Sequence, residues 1–304
     1  MNTFTILVDT NCDLPPELML EHGIEAIPTP FDLDGVKHDL GYWQEITPKE
    51  YYDALRNGSV AKTSQINPGT FIELFTKYAE QKKDLLYIAL SSGLSNTYQN
   101  SIMAAQQIRE THPDSNIYPL DSISASVGQG LLAMLAVQKR KEGLTAQETA
   151  AWLEQKKHSC FGFFTVDDLM YLHRGGRLSK LSAVAGSVLS IKPVLNFAPD
   201  GTLALKDKAR GRRPSLALMA EQFKRSVAPN TAIDTIYISH TDCEADAMML
   251  AGMIKESFEV RQVIVMVMGP IVGAHVGPGT VTLLAEAGMT RDEYENKFYK
   301  KNKN

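Results

Sequence analysis

Short apolar runs punctuate the first half of the chain. Residues 5–8, 24–27, 85–90 and 117–120 are strand-length stretches bounded by polar or turn-forming residues. Segments with helix start signals lie between them. Thr47-Pro48-Lys49-Glu50 is a capping box with proline at the first helical position, Asn67-Pro68 opens a second helix, and Thr145-Ala146-Gln147-Glu148 opens a third. Strand–helix alternation of this kind predicts a parallel sheet covered on both faces.

The pattern then changes. Residues 160–166 form an aromatic-rich strand, and a helix over 167–173 stops at Gly175-Gly176. Strands at 192–197 and 202–206 flank the turn Ala198-Pro199-Asp200-Gly201, where proline and glycine suit a hairpin. A strand at 235–239, a helix at 245–258 and a strand at 263–268 form a further β-α-β unit. The last helix starts at Thr290-x-x-Glu293, and the tail 300–304 is expected to fray. The expected fold is therefore α/β with two domains. Residues 1–162 form a parallel sheet with helices on both faces, and 163–304 form an α/β domain with a mixed sheet, with 269–290 returning to the domain interface.

Composition narrows the class. The 304 residues are 44% hydrophobic, which suits a globular chain with ample length for a core. Net charge is −4, from 31 basic and 35 acidic residues, so no basic field for nucleic acid is present. The three cysteines Cys12, Cys160 and Cys243 are far apart and form no CxxC, a pattern that suits a reducing compartment. The first residues lack a basic n-region, so a cytoplasmic protein is expected. Residues 263–285 could span a bilayer by length alone. Pro270, Pro278, His275 and the glycines at 269, 273, 277 and 279 favour strand and loop instead.

Three polar loops carry the candidate chemistry. Ser91-Ser92-Gly93-Leu94-Ser95-Asn96-Thr97 follows the strand at 85–90 and precedes a helix from Asn96 or Thr97. Ligands of open parallel sheets sit outside the carboxyl ends of strands, and a helix start there offers free N–H groups and a positive dipole end. Such a loop suits a small anion held without a full positive charge, although Ser95 or Asn96 could serve as an ordinary cap. Ala61-Lys62-Thr63-Ser64-Gln65 gives a second set of hydroxyls, and the 269–279 stretch gives close-approach glycines around His275, its one titratable group.

At this point the ordered motifs become specific. Asp9-Thr10-x-x-Asp13-Leu14, Thr63-Ser64-Gln65-x-x-Pro68, Leu94-Ser95-Asn96-Thr97-Tyr98-Gln99, Asp121-Ser122 with Gly128-x-Gly130, Gly175-Gly176-Arg177-Leu178-Ser179, Lys208-x-Arg210 and Gly273-Ala274-His275-x-Gly277-Pro278-Gly279 follow one another in order. The set resembles the DegV family of bacterial fatty-acid-binding proteins over residues 4 to 285. The resemblance implies two α/β domains enclosing a long-chain fatty acid as ligand, with no other cofactor, no metal and no catalytic residue. It also implies that Thr63 and Ser95 hold the carboxylate, with the backbone at Asn96 and His275 nearby. Some family members hand the bound acid to an ATP-dependent fatty acid kinase subunit for acyl-phosphate formation. Arg174, Arg177 and Arg210, with Lys180 beside them, are the residues the resemblance offers to such a partner, and transient contact with a membrane surface fits the cargo. Two departures stand out: Asn96 replaces the usual glycine, and Thr10 replaces a serine.

Other chemistries are weaker. Gly93-Leu94-Ser95-Asn96-Thr97 nearly matches the hydrolase pattern G-x-S-x-G, so an esterase using Ser95 is the alternative, but threonine replaces the final glycine. Gly128-Gln129-Gly130 lies too far from its strand for a dinucleotide fingerprint and reads as a closely packed helix. The run His240-Thr241-Asp242-Cys243-Glu244-Ala245-Asp246 reads as a helix start capped by Asp242, not as a metal site.

Overall fold

The computed structural model describes residues 4–177 and 191–300. The Lys180, Leu178 and Ser179 positions and the tail beyond residue 300 lie outside the described residues.

Alternation along the first strands decides the N-terminal architecture. In β1 (Thr5–Asp9), Ile6 and Val8 point to one face and Leu7 to the other. This strand pairs in parallel with β2 (Ile24–Ile27), which follows α1 (Pro16–His22). A small antiparallel sheet comes next: β3 (Phe31–Leu33) lies between β4 (Val36–His38) and β5 (Ala61–Thr63), with α2 (Pro48–Arg56) inserted before β5. The chain then runs through α3 (Pro68–Glu80), β6 (Leu85–Ala89), α4 (Thr97–Thr111), β7 (Ile117–Asp121), α5 (Val127–Lys141) and α6 (Ala146–Lys156). The main sheet has the order β2-β1-β6-β7, all parallel. Leu7, Leu85 and Tyr87 pack against Phe71, Phe75 and Ile108 of α3 and α4. On the opposite face, Ile6, Val8, Leu86 and Ile88 pack against Val127, Leu131 and Leu132 of α5 and Leu153 of α6. The expected parallel sheet with helices on both faces is what forms.

The second sheet begins at β8 (Cys160–Thr165) and continues through α7 (Met170–Arg174), β9 (Ile191–Phe197), β10 (Leu203–Arg210), α8 (Arg212–Ser226), β11 (Ile233–His240), α9 (Glu244–Ser257), β12 (Val260–Val267), α10 (Pro270–Val276), β13 (Val281–Glu286) and α11 (Arg291–Phe298). Its order is β10-β9-β8-β13-β11-β12, with β11 and β12 parallel and the remaining pairs antiparallel, so the sheet is mixed. Phe161, Phe163, Ile236 and Ile238 face α8 and α9, where they meet Leu216, Phe223, Leu250 and Ile254. Cys160, Tyr237 and Leu284 face the other way and join the core built on α5. The two sheets thus share α5, which explains why Gly128, Gln129 and Gly130 are all buried there.

Three local expectations change. A division after residue 162 would pass through β8, whose whole length belongs to the second sheet; we place it at the turn 157–159, just before that strand. The 269–279 stretch is not all loop: Pro270 occupies the first turn of α10, and the glycines at 269 and 277 flank the helix. Asp242 does not cap α9. It sits at φ 54° and pairs with Arg56 of α2, while Cys243 holds the cap position. Among the described residues, no helix is long and apolar enough to cross a membrane.

Candidate ligand-binding site

Residues 268–276 bring the second sheet's connection back onto the N-terminal half. Tyr51 and Tyr52 of α2 donate hydroxyl hydrogen bonds to the carbonyls of Pro270 (2.7 Å) and Met268 (2.6 Å), and the Gly269 N–H donates to Asp13 Oδ1 (2.8 Å). The α10 helix is thereby held over the carboxyl ends of β1 and β6. Beneath it lies a cavity of about 510 Å³, within the range of small-molecule sites. Leu90, Leu94, Leu172, Phe164, Phe197, Leu203, Val272 and Val276 supply apolar walls, while Asn11, Thr29, Thr63, Ser95, Asn96, Ser126, His275 and Thr282 supply polar ones.

Thr63 stands at the end of β5, paired with Phe31, and its Oγ1 lies 2.8 Å from His275 Nε2 on α10. Burial, with Arg177 nearby, lowers the His275 pKa to about 4, so the imidazole is neutral at physiological pH. Its Nδ1 is buried without a partner among the described residues and faces Gly175. If Nε2 carries the proton, it donates to Thr63 Oγ1 and leaves the threonine hydroxyl proton free for a ligand.

Ser95 precedes α4. Its Oγ accepts from the Thr97 N–H (3.2 Å) and lies 3.0 Å from Thr97 Oγ1. Asn96 holds the cap position without a side-chain cap bond, and its side chain is exposed. Among the described residues no base is hydrogen-bonded to Ser95, and the His275 imidazole bonds Thr63. The two hydroxyl loops are tied together: the Ile66 N–H donates to Thr97 Oγ1 (3.4 Å), and Asn100 Nδ2 donates to the Ile66 carbonyl (2.8 Å).

The Ser91–Ser95 loop is also clamped by the β9–β10 turn. Ser91 Oγ donates to the Gly201 carbonyl at 2.8 Å. A Cβ on Gly93 would lie 2.6 Å from the Gly201 carbonyl carbon, so only glycine permits this approach.

Of the three arginines expected at a partner surface, Arg174 and Arg210 are exposed. Arg174 lies over the Tyr171 ring, 4.6 Å from its centroid. Arg177 is half-buried and lines the cavity, where it donates to the Leu94 carbonyl (3.2 Å) and the Gly175 carbonyl. Neighbouring sequence gave no sign of this inward placement.

Sequence reading also missed a buried acid beside the cavity. Ser126 is held at φ 55°, ψ −136°, and its Oγ donates to Asp13 Oδ2 at 2.5 Å and lies 3.0 Å from Ser239 Oγ. Burial pushes the Asp13 carboxyl up to about 7, against the opposing hydrogen bonds from Ser126 and Gly269. The unfolded chain releases this proton near pH 4 and the folded chain near pH 7, so the contribution to stability present at low pH is lost as pH rises across that window. Relative to Asp13→Asn, the wild-type unfolding free energy should fall by on the order of 4 kcal/mol from pH 4 to 7 and stay level above. Urea unfolding of both proteins across this range checks it; a difference independent of pH contradicts it.

Among the described residues, no cluster of His, Cys, Asp and Glu has the geometry to hold a metal ion. What the site offers is an apolar chamber with hydroxyls, a neutral imidazole and one partly engaged guanidinium.

A DegV domain-containing protein of Clostridium perfringens is 38% identical over 284 residues, covering 93% of this chain and 97% of its own. A protein of Thermotoga maritima named as fatty acid-binding is 30% identical over 280 residues, covering 91% of this chain and 95% of its own. The solved structure of a DegV family protein from Thermus thermophilus, described for its fatty acid binding, matches with a TM-score of 0.85 at 28% identity, covering 93% of this chain and 99% of that one. The DegV family model, described as that of an uncharacterised protein, matches residues 3–287. With this match across nearly its whole length, the chain belongs to the DegV family.

Proposed function

We propose that this protein binds a long-chain fatty acid in the 510 Å³ cavity and presents it to an ATP-dependent fatty acid kinase subunit for acyl-phosphate formation. The observation that carries the reading is a single chamber in which Thr63, Ser95 and His275 share walls with Leu90, Phe164, Phe197 and Val272. The fatty-acid-binding relatives from Thermotoga and Thermus support it.

In this reading the Thr63 and Ser95 hydroxyls donate to the carboxylate. Neutral His275 holds the Thr63 oxygen, and the start of α4 adds backbone N–H groups and the positive end of its dipole. Arg177 contributes charge, but its Nε and one Nη are already engaged by carbonyls. The head group is therefore held mainly by neutral donors, which suits a carrier that must give up its cargo. The protein carries the acid and leaves the phosphoryl chemistry to its partner.

Arg174 and Arg210 form the exposed basic surface for that partner. Lipid-loaded protein mixed with a fatty acid kinase subunit and ATP should yield acyl phosphate, trapped as its hydroxamate. The pair Arg174→Glu and Arg210→Glu should retain lipid and lose at least about tenfold in product, since like charge across an interface is costly. Undiminished output from this variant would contradict the partner surface; no acyl phosphate from the wild type would contradict presentation to a kinase.

A further inference from the structure

The cavity holds more polar surface than one carboxylate uses. A second polar group lines it, tied to a hydrogen-bond network that includes none of Thr63, Ser95 and His275. Asn11 and Thr29 are only 2% and 3% exposed, and each carries a buried side-chain oxygen without a partner among the described residues. They stand together because β1 and β2 run in parallel register up to Asp9 and Ile27, and the Thr29 N–H donates to Thr10 Oγ1 at 3.0 Å. Ser126 lines the same cavity, bonded to Asp13 two residues beyond Asn11 and lying 3.0 Å from Ser239 Oγ. Thr282 lies opposite Ser239 in the β11–β13 register and also lines the cavity, and its hydroxyl has no hydrogen-bond partner among the described residues.

We propose that this second group binds a hydroxyl carried on the acyl chain, so that the ligand class includes hydroxylated long-chain fatty acids. The inference rests on the reading above, in which the carboxylate sits at Thr63 and Ser95. A hydroxyl both donates and accepts. It can donate to Asn11 Oδ1 or to the remaining lone pair of Ser126 Oγ, and accept from Thr29 or Thr282. A bare methylene chain at this place leaves those oxygens unmet, and a site built to bond a ligand hydroxyl disfavours the analogue that lacks it. The strained backbone of Ser126 fits this role, since that conformation holds its hydroxyl in the Asp13–Ser239 network at the cavity wall.

The test uses lipid-stripped protein, octadecanoic acid and a series of monohydroxy-octadecanoic acids with the hydroxyl moved along the chain. Affinities are read by displacement of a fluorescent fatty acid. One isomer, or a few neighbouring ones, should bind at least about tenfold more tightly than octadecanoic acid. Thr282→Val, alone and with Asn11→Leu, should bring that ratio toward one, whereas Thr63→Val should weaken both acids alike and leave the ratio standing. Equal affinity for every isomer, or a preference that survives Thr282→Val and the double substitution, overturns the proposal and assigns these oxygens to water. If unsubstituted and hydroxylated acids bind equally well, the fatty-acid reading stands without this extension; if neither binds, both fall.

Discussion

Thr63→Val combined with Ser95→Ala lowers the affinity for a long-chain fatty acid by about two to four orders of magnitude. A hydrogen bond to a charged group contributes roughly 1.5–3 kcal/mol, and the double substitution removes two. The tail still contributes: burying a dozen methylenes is worth on the order of 10 kcal/mol before ordering costs. Weak binding should therefore persist, with the acid no longer distinguished from its methyl ester. Valine keeps the β-branch that suits Thr63 at the end of β5. Alanine at 95 loses the bond from the Thr97 N–H, a cap-like contact worth about 1 kcal/mol of stability. Displacement titration measures the loss, and circular dichroism checks that the fold survives. A drop smaller than tenfold places the head group elsewhere.

Gly162→Ala should destabilise the protein by more than about 4 kcal/mol, at the extreme of single-residue effects. Gly162 lies in the middle of β8, opposite Leu284 of β13, near the centre of the six-stranded sheet. A Cβ there would lie 1.8 Å from the Leu283 carbonyl oxygen, and backbone on a central strand cannot step aside as a flexible side chain can. Phe161 and Phe163 on either side are fully buried, so the strand cannot slide to relieve the clash. Opening β8 from β13 also moves Phe164 and Thr282, both walls of the cavity, so ligand binding should fall with stability. Urea unfolding of wild type and variant gives the number; a loss below about 1 kcal/mol would show that the two strands are not this close.

The sequence was most legible where local chemistry and tertiary packing agree. The central strands of the parallel sheet were visible because they need both faces apolar, as Ile6, Leu7 and Val8 show in succession. Capping boxes at Thr47, Thr145 and Thr290 marked their helices, and each forms with the paired bonds the motif requires. The three-residue strands β3, β4 and β5 escaped notice because two-residue periodicity needs more length to register. The α10 helix was hidden because its proline and glycines read as loop residues when they mark helix ends.

Site residues divide along the same line. Thr63, Ser95 and His275 stood out through the ordered motifs that resemble the DegV family, and all three line one cavity. The contact between Asp13 and Ser126 spans 113 positions of sequence, so nothing local to either announces it. Arg177 read as a surface cation because Arg174 and Lys180 flank it in sequence; only the fold shows the Leu94 and Gly175 carbonyls that draw it inward.

A crystal structure of the protein loaded with a long-chain fatty acid tests the central claim most directly. The account predicts one elongated ligand in the cavity, its carboxylate within hydrogen-bond reach of Thr63 Oγ1 and Ser95 Oγ, and its chain running between Phe164 and Val272. A ligand whose carboxylate lies away from both hydroxyls, or a lipid bound outside this chamber with the chamber empty, would contradict it.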